Sequence, residues 1–263
     1  MYVIRKSTSR FDPTSSKLYR LSRSRIERFR ECRRCFWLNE RYGVDRPGMP
    51  AFSLNNAVDA LMKKEFDLHR AEGTAHPLLA GYGLKLVPLK HERMEEWRDA
   101  LRRGIEYHHK ESNFSFRGGV DDVWTDDAGT LYIVDYKATS TDKEISLDDQ
   151  WKQGYKRQME MYQWLFRQNG FTVSNTGYFV FVNGMSDRKA FDAKLEFDVQ
   201  LIAYEGDDAW VGDALTDAKA CLMSDAIPEV GERCEFCPYR EAAGSQLKKP
   251  SSSAYETSTP TLF

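Results

Sequence analysis

The sequence predicts an α/β fold in which a mixed central sheet is flanked by helices. Two runs rich in β-branched and aromatic residues, at about 114–124 and 131–138, flank a turn at 126–129. A helical pattern at about 149–169 follows and ends on Gly170. Two further strand patterns then occur at about 176–182 and 194–203. A sheet whose strands are interrupted by a helix in this order is expected to be mixed.

Composition indicates one folded domain with short flanking segments. Of the 263 residues, 41% are hydrophobic and 13% are aromatic, which is enough for a full core. We expect a flexible N-terminus at 1–19, a domain at 20–243 and a disordered tail at 244–263, where Ser, Thr and Pro are frequent. The chain has neither an apolar run of eighteen residues nor a signal-peptide pattern, so we expect a cytoplasmic protein without membrane contact.

Helical patterns account for most of the remaining sequence. The first runs from Leu21 to about Tyr42, with a capping box at Ser24 and Glu27. Others are expected at about 53–70, 92–110 and 207–223. The second of these four has an apolar stripe formed by Leu54, Val58, Leu61, Met62 and Phe66.

Charge is distributed unevenly along the chain. The net charge of −2 argues against a protein that coats nucleic acid over its whole surface. Residues 1–46 nevertheless hold thirteen Lys and Arg against five Asp and Glu, a balance of +8. The positive charge of residues 1–46 predicts contacts with phosphate groups. The alternative is that these residues form a solvated helix face. The candidate DNA-binding residues are Arg23, Arg25, Arg33 and Arg34.

The two central strands place carboxylates beside a lysine. Asp135 and Lys137 are two residues apart and therefore share a face, whereas Tyr136 points to the other. Such charges on a buried strand need partners. Carboxylates from two strands, Asp121 and Asp135, can hold Mg²⁺ against a phosphate oxygen, while Lys137 orients or helps to deprotonate the attacking water. The pattern predicts a nuclease active site, with Asp122 as the rival to Asp121.

Four cysteines form two CxxC pairs near opposite ends of the chain, at Cys32, Cys35, Cys234 and Cys237. Four thiolates suit either Zn²⁺ or an iron–sulfur cluster, and spacing alone favours zinc. Closing a loop of about 200 residues predicts a structural role. The alternative is a set of unligated thiols in a reducing compartment.

Three motifs together resemble the PD-(D/E)XK nuclease superfamily. They are G-x-V-D-x-V at 118–123, D-x-K at 135–137, and Q-x-x-x-Y formed by Gln158 and Tyr162. The last, with the cysteine-bearing phrase at 22–36, resembles the RecB-type branch, which includes CRISPR-adaptation exonucleases. The likeness covers about residues 20 to 240 and implies a restriction-endonuclease-like core. It also implies hydrolysis of single-stranded DNA or duplex ends, exonuclease rather than endonuclease action, and roles in repair, recombination or defence with a helicase as a partner.

The resemblance also implies roles for individual residues. Asp121, Asp135 and the Tyr136 carbonyl would bind Mg²⁺ or Mn²⁺, Gln158 would hydrogen-bond a metal-bound water or Lys137, and Tyr162 would contact the DNA backbone. In the family a helix often supplies a histidine ligand, and Asp59 stands at that position here. Aspartate is an adequate hard ligand, and the alternative is a polar helix residue. We expect the nearby Lys63 to be solvated.

The resemblance leaves the identity of the cysteine-bound metal open. Several members of the branch hold a 4Fe–4S cluster with one N-terminal and three C-terminal cysteines. Here Ala243 lies close to where the last cysteine would fall, and Cys35 is additional. Two other functions stay open: a catalytically silent nucleic-acid-binding subunit of the same fold, and a zinc-stapled interaction protein whose hairpin carboxylates pair with Arg and Lys.

Overall fold

The computed structural model describes residues 10–48 and 52–248. These residues form eight strands and eight α-helices. In chain order they are β1 (Tyr19–Ser22), α1 (Arg23–Glu31), α2 (Arg33–Tyr42), α3 (Ser53–Glu72), α4 (Pro77–Gly81), β2 (Val87–Pro88), α5 (Met94–Arg98), β3 (Ile105–His109), β4 (Phe114–Gly118), β5 (Asp122–Thr125), β6 (Leu131–Thr139), α6 (Gln153–Gln168), β7 (Thr176–Gly184), β8 (Phe197–Glu205), α7 (Trp210–Met223) and α8 (Phe236–Leu247).

A five-stranded sheet in the order β2-β5-β6-β7-β8 forms the centre of the domain. Its neighbouring strands are antiparallel except for β6 and β7, which are parallel. Helix α6 supplies the crossover between these two parallel strands, as parallel pairing requires. The predicted mixed sheet is therefore confirmed, with the helix in the predicted place.

The predicted first strand at 114–124 is in fact two strands in two different sheets. β4 lies in a separate three-stranded sheet, parallel to β1 and antiparallel to β3, whereas β5 pairs with β6. The chain changes sheet at Gly118 and Gly119, where close packing requires glycine. A Cβ on Gly119 would lie 2.5 Å from the backbone of Ala100, and one on Gly118 would lie 2.5 Å from the Tyr162 ring.

The predicted first helix is broken at Cys32. This residue is extended (φ −161°, ψ 106°) and separates α1 from α2. The capping box at Ser24 is absent, because the helix begins two residues earlier and Ser22 occupies its N-cap without a side-chain hydrogen bond. The break turns the Cys32 thiol towards the C-terminal cysteines, so a tertiary requirement overrides the helical pattern.

Two other predicted helices differ from the structure. The helix expected at 92–110 is only the short α5, followed by β3, because the chain turns at Gly104 (φ 80°) and pairs with β4. Helix α3 occurs where expected, but two members of its predicted stripe, Leu54 and Leu61, are exposed. The sequence pattern also missed α8.

Hydrophobic clusters cover both faces of the central sheet. On one face Val123, Ile133 and Phe179 pack with residues of α1, α6 and α7. On the other, Trp124 and Tyr136 pack with residues of α3. The predicted arrangement of helices on both sides of the sheet is confirmed.

The terminal segments extend the ordered domain beyond its predicted limits. Phe11 is buried and Tyr19 begins β1, although both fall in the segment expected to be flexible. Helix α8 ends at Leu247, inside the segment expected to be disordered. The expectations for residues 1–9 and 249–263 lie outside the described residues. Across 10–48 and 52–248, no helix combines the length and apolarity needed to cross a membrane.

Candidate active site and cysteine cluster

A cleft of about 330 Å³ lies where α3 and α6 meet the edge between β5 and β6. It is lined by Asp59 of α3, by Asp121, which immediately precedes β5, and by Lys137 of β6. Tyr155 of α6 forms another wall, and its ring lies 4.6 Å from the Lys137 ammonium. The local structure explains this convergence, because antiparallel β5 and β6 bring the two acidic motifs to the same end of the sheet.

Asp121 faces this cleft and is partly exposed. Its Oδ2 accepts a hydrogen bond of 3.1 Å from the Tyr136 backbone N–H, which fixes the carboxylate against β6. Its Oδ1 lies 3.0 Å from Lys63 Nζ. One carboxylate oxygen is therefore held by the backbone, and the other faces a cation.

The rival residue, Asp122, points to the opposite face of β5. Its side chain is fully buried and lies 2.5 Å from Arg70 Nη2 and 3.3 Å from Arg98 Nη2. Its Oδ2 accepts a hydrogen bond of 2.7 Å from the Tyr136 hydroxyl. Burial, with the charge of Asp122, raises the pKa of that phenol well above its ordinary value. Asp122 is thus enclosed by internal partners.

Asp135 and Lys137 form a buried ion pair on one face of β6, as the alternation predicted. Burial raises the pKa of Asp135 to about 6, although the neighbouring Lys137 ammonium opposes this shift. Burial lowers the pKa of Lys137, but the charges of Asp135 and Asp121 outweigh it and leave the pKa raised. A carboxylate in such a position gains from a further nearby cation.

Gln158 holds the Asp135 carboxylate rather than the lysine. Its Nε2 donates a hydrogen bond of 2.7 Å to Asp135 Oδ1, and it lies 3.3 Å from the Tyr162 hydroxyl. Tyr162 is buried and packs against Gly118, where a Cβ would collide with its ring. The one-turn spacing of the motif therefore produces a chain of contacts from Tyr162 through Gln158 to Asp135. The expected bond from Gln158 to Lys137 is not among the contacts that the structure describes.

Asp59 and Asp121 both contact the ammonium group of Lys63. Lys63 Nζ lies 2.8 Å from Asp59 Oδ2 and 3.0 Å from Asp121 Oδ1. The expectation that Lys63 is solvated is wrong, since its side chain is only 23% exposed. The i,i+4 spacing of Asp59 and Lys63 was visible in the sequence, but nothing indicated that Asp121 would join them.

The donor set of the cleft suits a hard divalent cation. Two carboxylates, Asp59 and Asp121, already converge on one positive charge, and the buried carboxylate of Asp135 lies nearby. Oxygen ligands of this type are those that Mg²⁺ and Mn²⁺ prefer. The residues present therefore fit the divalent metal that the motifs implied.

The four predicted DNA-binding arginines differ in their surroundings. Arg23 lies beside Tyr162 and Asp135; burial lowers its pKa, but these two groups outweigh burial and raise it. Arg25 pairs with Glu40 at 2.9 Å, and Arg33 is exposed with Asp217 at 3.8 Å. Arg34 donates to the Pro228 carbonyl at 2.9 Å and pairs with Glu241. Arg23 therefore adjoins the buried Asp135 carboxylate, and Arg34 joins α2 to the C-terminal segment.

The four predicted cysteines lie together and are buried. Their sulfur atoms all lie within 4.8 Å of one another. The fifth cysteine, Cys221, lies on α7 outside this group. The expected joining of the N- and C-terminal segments by a cysteine site is confirmed as a spatial arrangement, and a four-thiolate set can hold Zn²⁺ or an iron–sulfur cluster.

A mixed sheet with two carboxylates and a lysine at one end of its inner strands can hold a divalent cation beside a phosphate group. Comparison with known families agrees with this chemistry. A family model described as the PD-(D/E)XK nuclease superfamily matches residues 20–242. The chain belongs to the PD-(D/E)XK nuclease superfamily.

Other comparisons add little to this assignment. No curated protein matches the chain. Among solved structures, the crystal structure of SSO0001 is similar at 18% identity and a TM-score of 0.26, over 53% of this chain and 52% of that chain. The chain thus spans about half the length of that structure. A likeness at this level carries no argument about fold or activity.

Proposed function

We propose that the protein is a metal-dependent DNA nuclease whose active centre is the cleft between α3, α6 and β6. The observation that carries the proposal is the separation of Asp121 from Asp122. Asp121 faces Lys63 and the cleft, together with the buried pair of Asp135 and Lys137, whereas Asp122 is enclosed by arginines. This arrangement places carboxylates and lysines beside an open cleft, whereas the carboxylate on the other face is buried against arginines.

The metal ligands in this proposal are Asp59, Asp121, Asp135 and the backbone carbonyl of Tyr136. A bound Mg²⁺ or Mn²⁺ supplies Lewis acidity towards a phosphate oxygen and increases the acidity of water. The chain's own part is to hold the carboxylates in place. The Tyr136 N–H restrains Asp121, and the Gln158 amide restrains Asp135, so neither ligand needs to reorganise when the substrate arrives.

Lys137 acts in the proposal as an electrostatic group. Its raised pKa keeps the proton on Nζ near neutral pH, so the lysine donates hydrogen bonds and does not remove a proton in the metal-free chain. An ammonium held in place by Asp135 can orient the attacking water and offset the negative charge that develops on the phosphate. This refines the earlier expectation that Lys137 helps to deprotonate water.

Three further side chains act as positioning residues. Gln158 fixes the rotation of the Asp135 carboxylate, and buried Tyr162 supports Gln158. Arg23 adjoins both Tyr162 and Asp135 and adds positive charge behind the carboxylates. Among the four predicted DNA-binding arginines, Arg23 is therefore the one that lies beside a candidate metal ligand.

The finer biology rests on the family resemblance. The RecB-type motifs favour exonuclease action on single strands or duplex ends, a role in repair, recombination or defence, and a helicase or other DNA-processing protein as a partner. The cytoplasm is the compartment that this role would require.

Digestion of end-labelled single-stranded and duplex DNA with Mg²⁺ or Mn²⁺ tests the proposal. Wild type should cut, Lys137→Ala should lose cutting, and Lys189→Ala, in the exposed loop between β7 and β8, should behave as wild type. Short products released from a labelled end indicate an exonuclease, and internal fragments indicate an endonuclease. If wild type binds DNA but never cuts it, the protein is a binding module and the nuclease proposal fails.

A further inference from the structure

The sulfur atoms of the cysteine cluster, formed by Cys32, Cys35, Cys234 and Cys237, lie close to contact with one another. Cys35 Sγ is 3.5 Å from the sulfur of Cys234 and 3.5 Å from that of Cys237. Cys32 Sγ is 3.8 Å from Cys237 Sγ. Because the remaining sulfur separations also lie within 4.8 Å, the four atoms outline a small and compact tetrahedron.

These separations distinguish the two metals that a four-thiolate set can hold. Four thiolates that share one Zn²⁺ at about 2.3 Å in tetrahedral geometry lie about 3.8 Å from one another. In a 4Fe–4S cluster each thiolate binds a different iron atom, and four bridging sulfides keep the iron atoms apart. Eight core atoms cannot fit between sulfur atoms that nearly touch.

We propose that the cysteine cluster binds a single tetrahedral Zn²⁺ and that this chain has no iron–sulfur cluster. The inference departs from the 4Fe–4S cluster that the family resemblance implies. It also agrees with the sequence, since each end of the chain contributes one CxxC pair instead of one cysteine and three.

The backbone around Cys32 is shaped for this small site. The Gly231 N–H donates to Cys32 Sγ at 3.3 Å, and the Cys35 N–H donates to the same sulfur at 3.5 Å. Gly231 packs so closely against the backbone of Glu31 that no other residue fits there. Two donors directed at one sulfur stabilise the Cys32 thiolate, which is the form that binds a metal ion.

The ion would join two segments that are far apart in the sequence. Cys32 lies at the junction of α1 and α2, and Cys237 lies 205 residues later on α8. Val230 and Phe236 pack against the cysteines. Polar contacts join Arg34 to the Pro228 carbonyl and Arg240 to the Asp45 carbonyl. Zinc bound by all four cysteines would add to these contacts and hold α8 against the N-terminal helices.

The test is the metal content of the full chain, expressed with zinc and iron both supplied and purified without oxygen. Elemental analysis should find one zinc ion per chain and no iron, and the protein should lack the visible absorbance of an iron–sulfur chromophore. Cobalt substituted for zinc should give the visible bands of a tetrahedral thiolate site. Brown protein with four iron atoms per chain, or protein without any bound metal, would overturn the proposal.

Two variants locate the ion in the cysteine cluster. Cys234→Ser should lose the zinc, whereas Cys221→Ser, which removes the cysteine outside the cluster, should retain it. If Cys234→Ser does not fold, release of zinc from the Cys221→Ser protein by a thiol-specific mercurial gives the same answer, with its four remaining thiols titrated for each zinc released. Retention of zinc by a folded Cys234→Ser protein would place the ion elsewhere and contradict the inference. None of these measurements depends on nuclease activity.

Discussion

Asp121 and Asp122 are neighbours in the sequence, yet they lie in two different environments. Asp121 is part of an open region in which one oxygen is held by a backbone N–H and the other by Lys63, beside a cleft. Asp122 is part of a closed region in which Arg70, Arg98 and a tyrosine hydroxyl surround a fully buried carboxylate.

The difference between these regions separates a reactive carboxylate from a structural one. In the closed region, the Asp122 carboxylate pairs with guanidinium groups, which bind carboxylates in fixed geometry and stay charged. The open region uses one flexible ammonium with a strongly hydrated charge that a divalent cation can displace. The partners of a carboxylate, more than its place in a motif, therefore indicate whether it supports chemistry or the fold.

The largest effect is expected from Asp121→Asn. Loss of one metal-binding oxygen should reduce DNA cleavage about 10³-fold, or about 4 kcal/mol in the barrier. The amide oxygen can still accept from the Tyr136 N–H, so urea denaturation should give an unfolding free energy close to that of wild type. A variant that cuts DNA at the normal rate would show that the open region is not the catalytic one.

Asp122→Asn should have the converse effect. Removing the charge breaks two buried ion pairs and leaves Arg70 and Arg98 with only Asp67 as a shared carboxylate. Breaking a buried pair typically costs about 3–5 kcal/mol. We expect urea denaturation to show this loss, and the fraction that remains folded should still cut DNA. Normal stability with lost cleavage would exchange the roles of the two aspartates.

Tyr136 contacts both regions, the closed one through its hydroxyl and the open one through its backbone N–H. Tyr136→Phe therefore tests the closed region alone. The hydroxyl donates to buried Asp122, and a hydrogen bond to a charged group contributes about 1.5–3 kcal/mol. The backbone N–H that restrains Asp121 is retained. Thermal or urea unfolding should therefore show a moderate loss of stability, while the cleavage rate per folded molecule stays unchanged. A fall in rate at normal stability would mean that the hydroxyl supports the open region.

The parts of the site predicted from the sequence are those set by local periodicity. Alternation along β6 was enough to place Asp135 and Lys137 on one face with Tyr136 on the other, and the structure confirms this. The two CxxC pairs were likewise expected to meet, because together they form a four-thiolate site that suits Zn²⁺ or an iron–sulfur cluster.

The parts that could not be predicted depend on contacts between distant segments. The contact between Lys63 and Asp121 joins residues 58 positions apart, so no local pattern on α3 predicts it. The split of the strand at 114–124 depends on Gly119 packing against Ala100, and the break in the first helix depends on where Cys32 meets α8. In each case the local pattern favoured a longer element than tertiary packing permits.

Lys63→Met gives the smallest expected effect. In the metal-free chain the ammonium lies between Asp59 and Asp121, so a divalent cation must displace it before using both carboxylates. Methionine preserves the aliphatic length of the side chain and removes the competing charge. Titration with Mn²⁺, followed by calorimetry or by the loss of the free-ion resonance signal, should show binding up to about tenfold tighter, or about 1.4 kcal/mol.

The exposed neighbour Lys64 provides a matched control, and Lys64→Met should bind Mn²⁺ like wild type. Weaker Mn²⁺ binding by Lys63→Met would mean that the ammonium organises the two carboxylates instead of competing for them, and the open region would then be as fixed as the closed one.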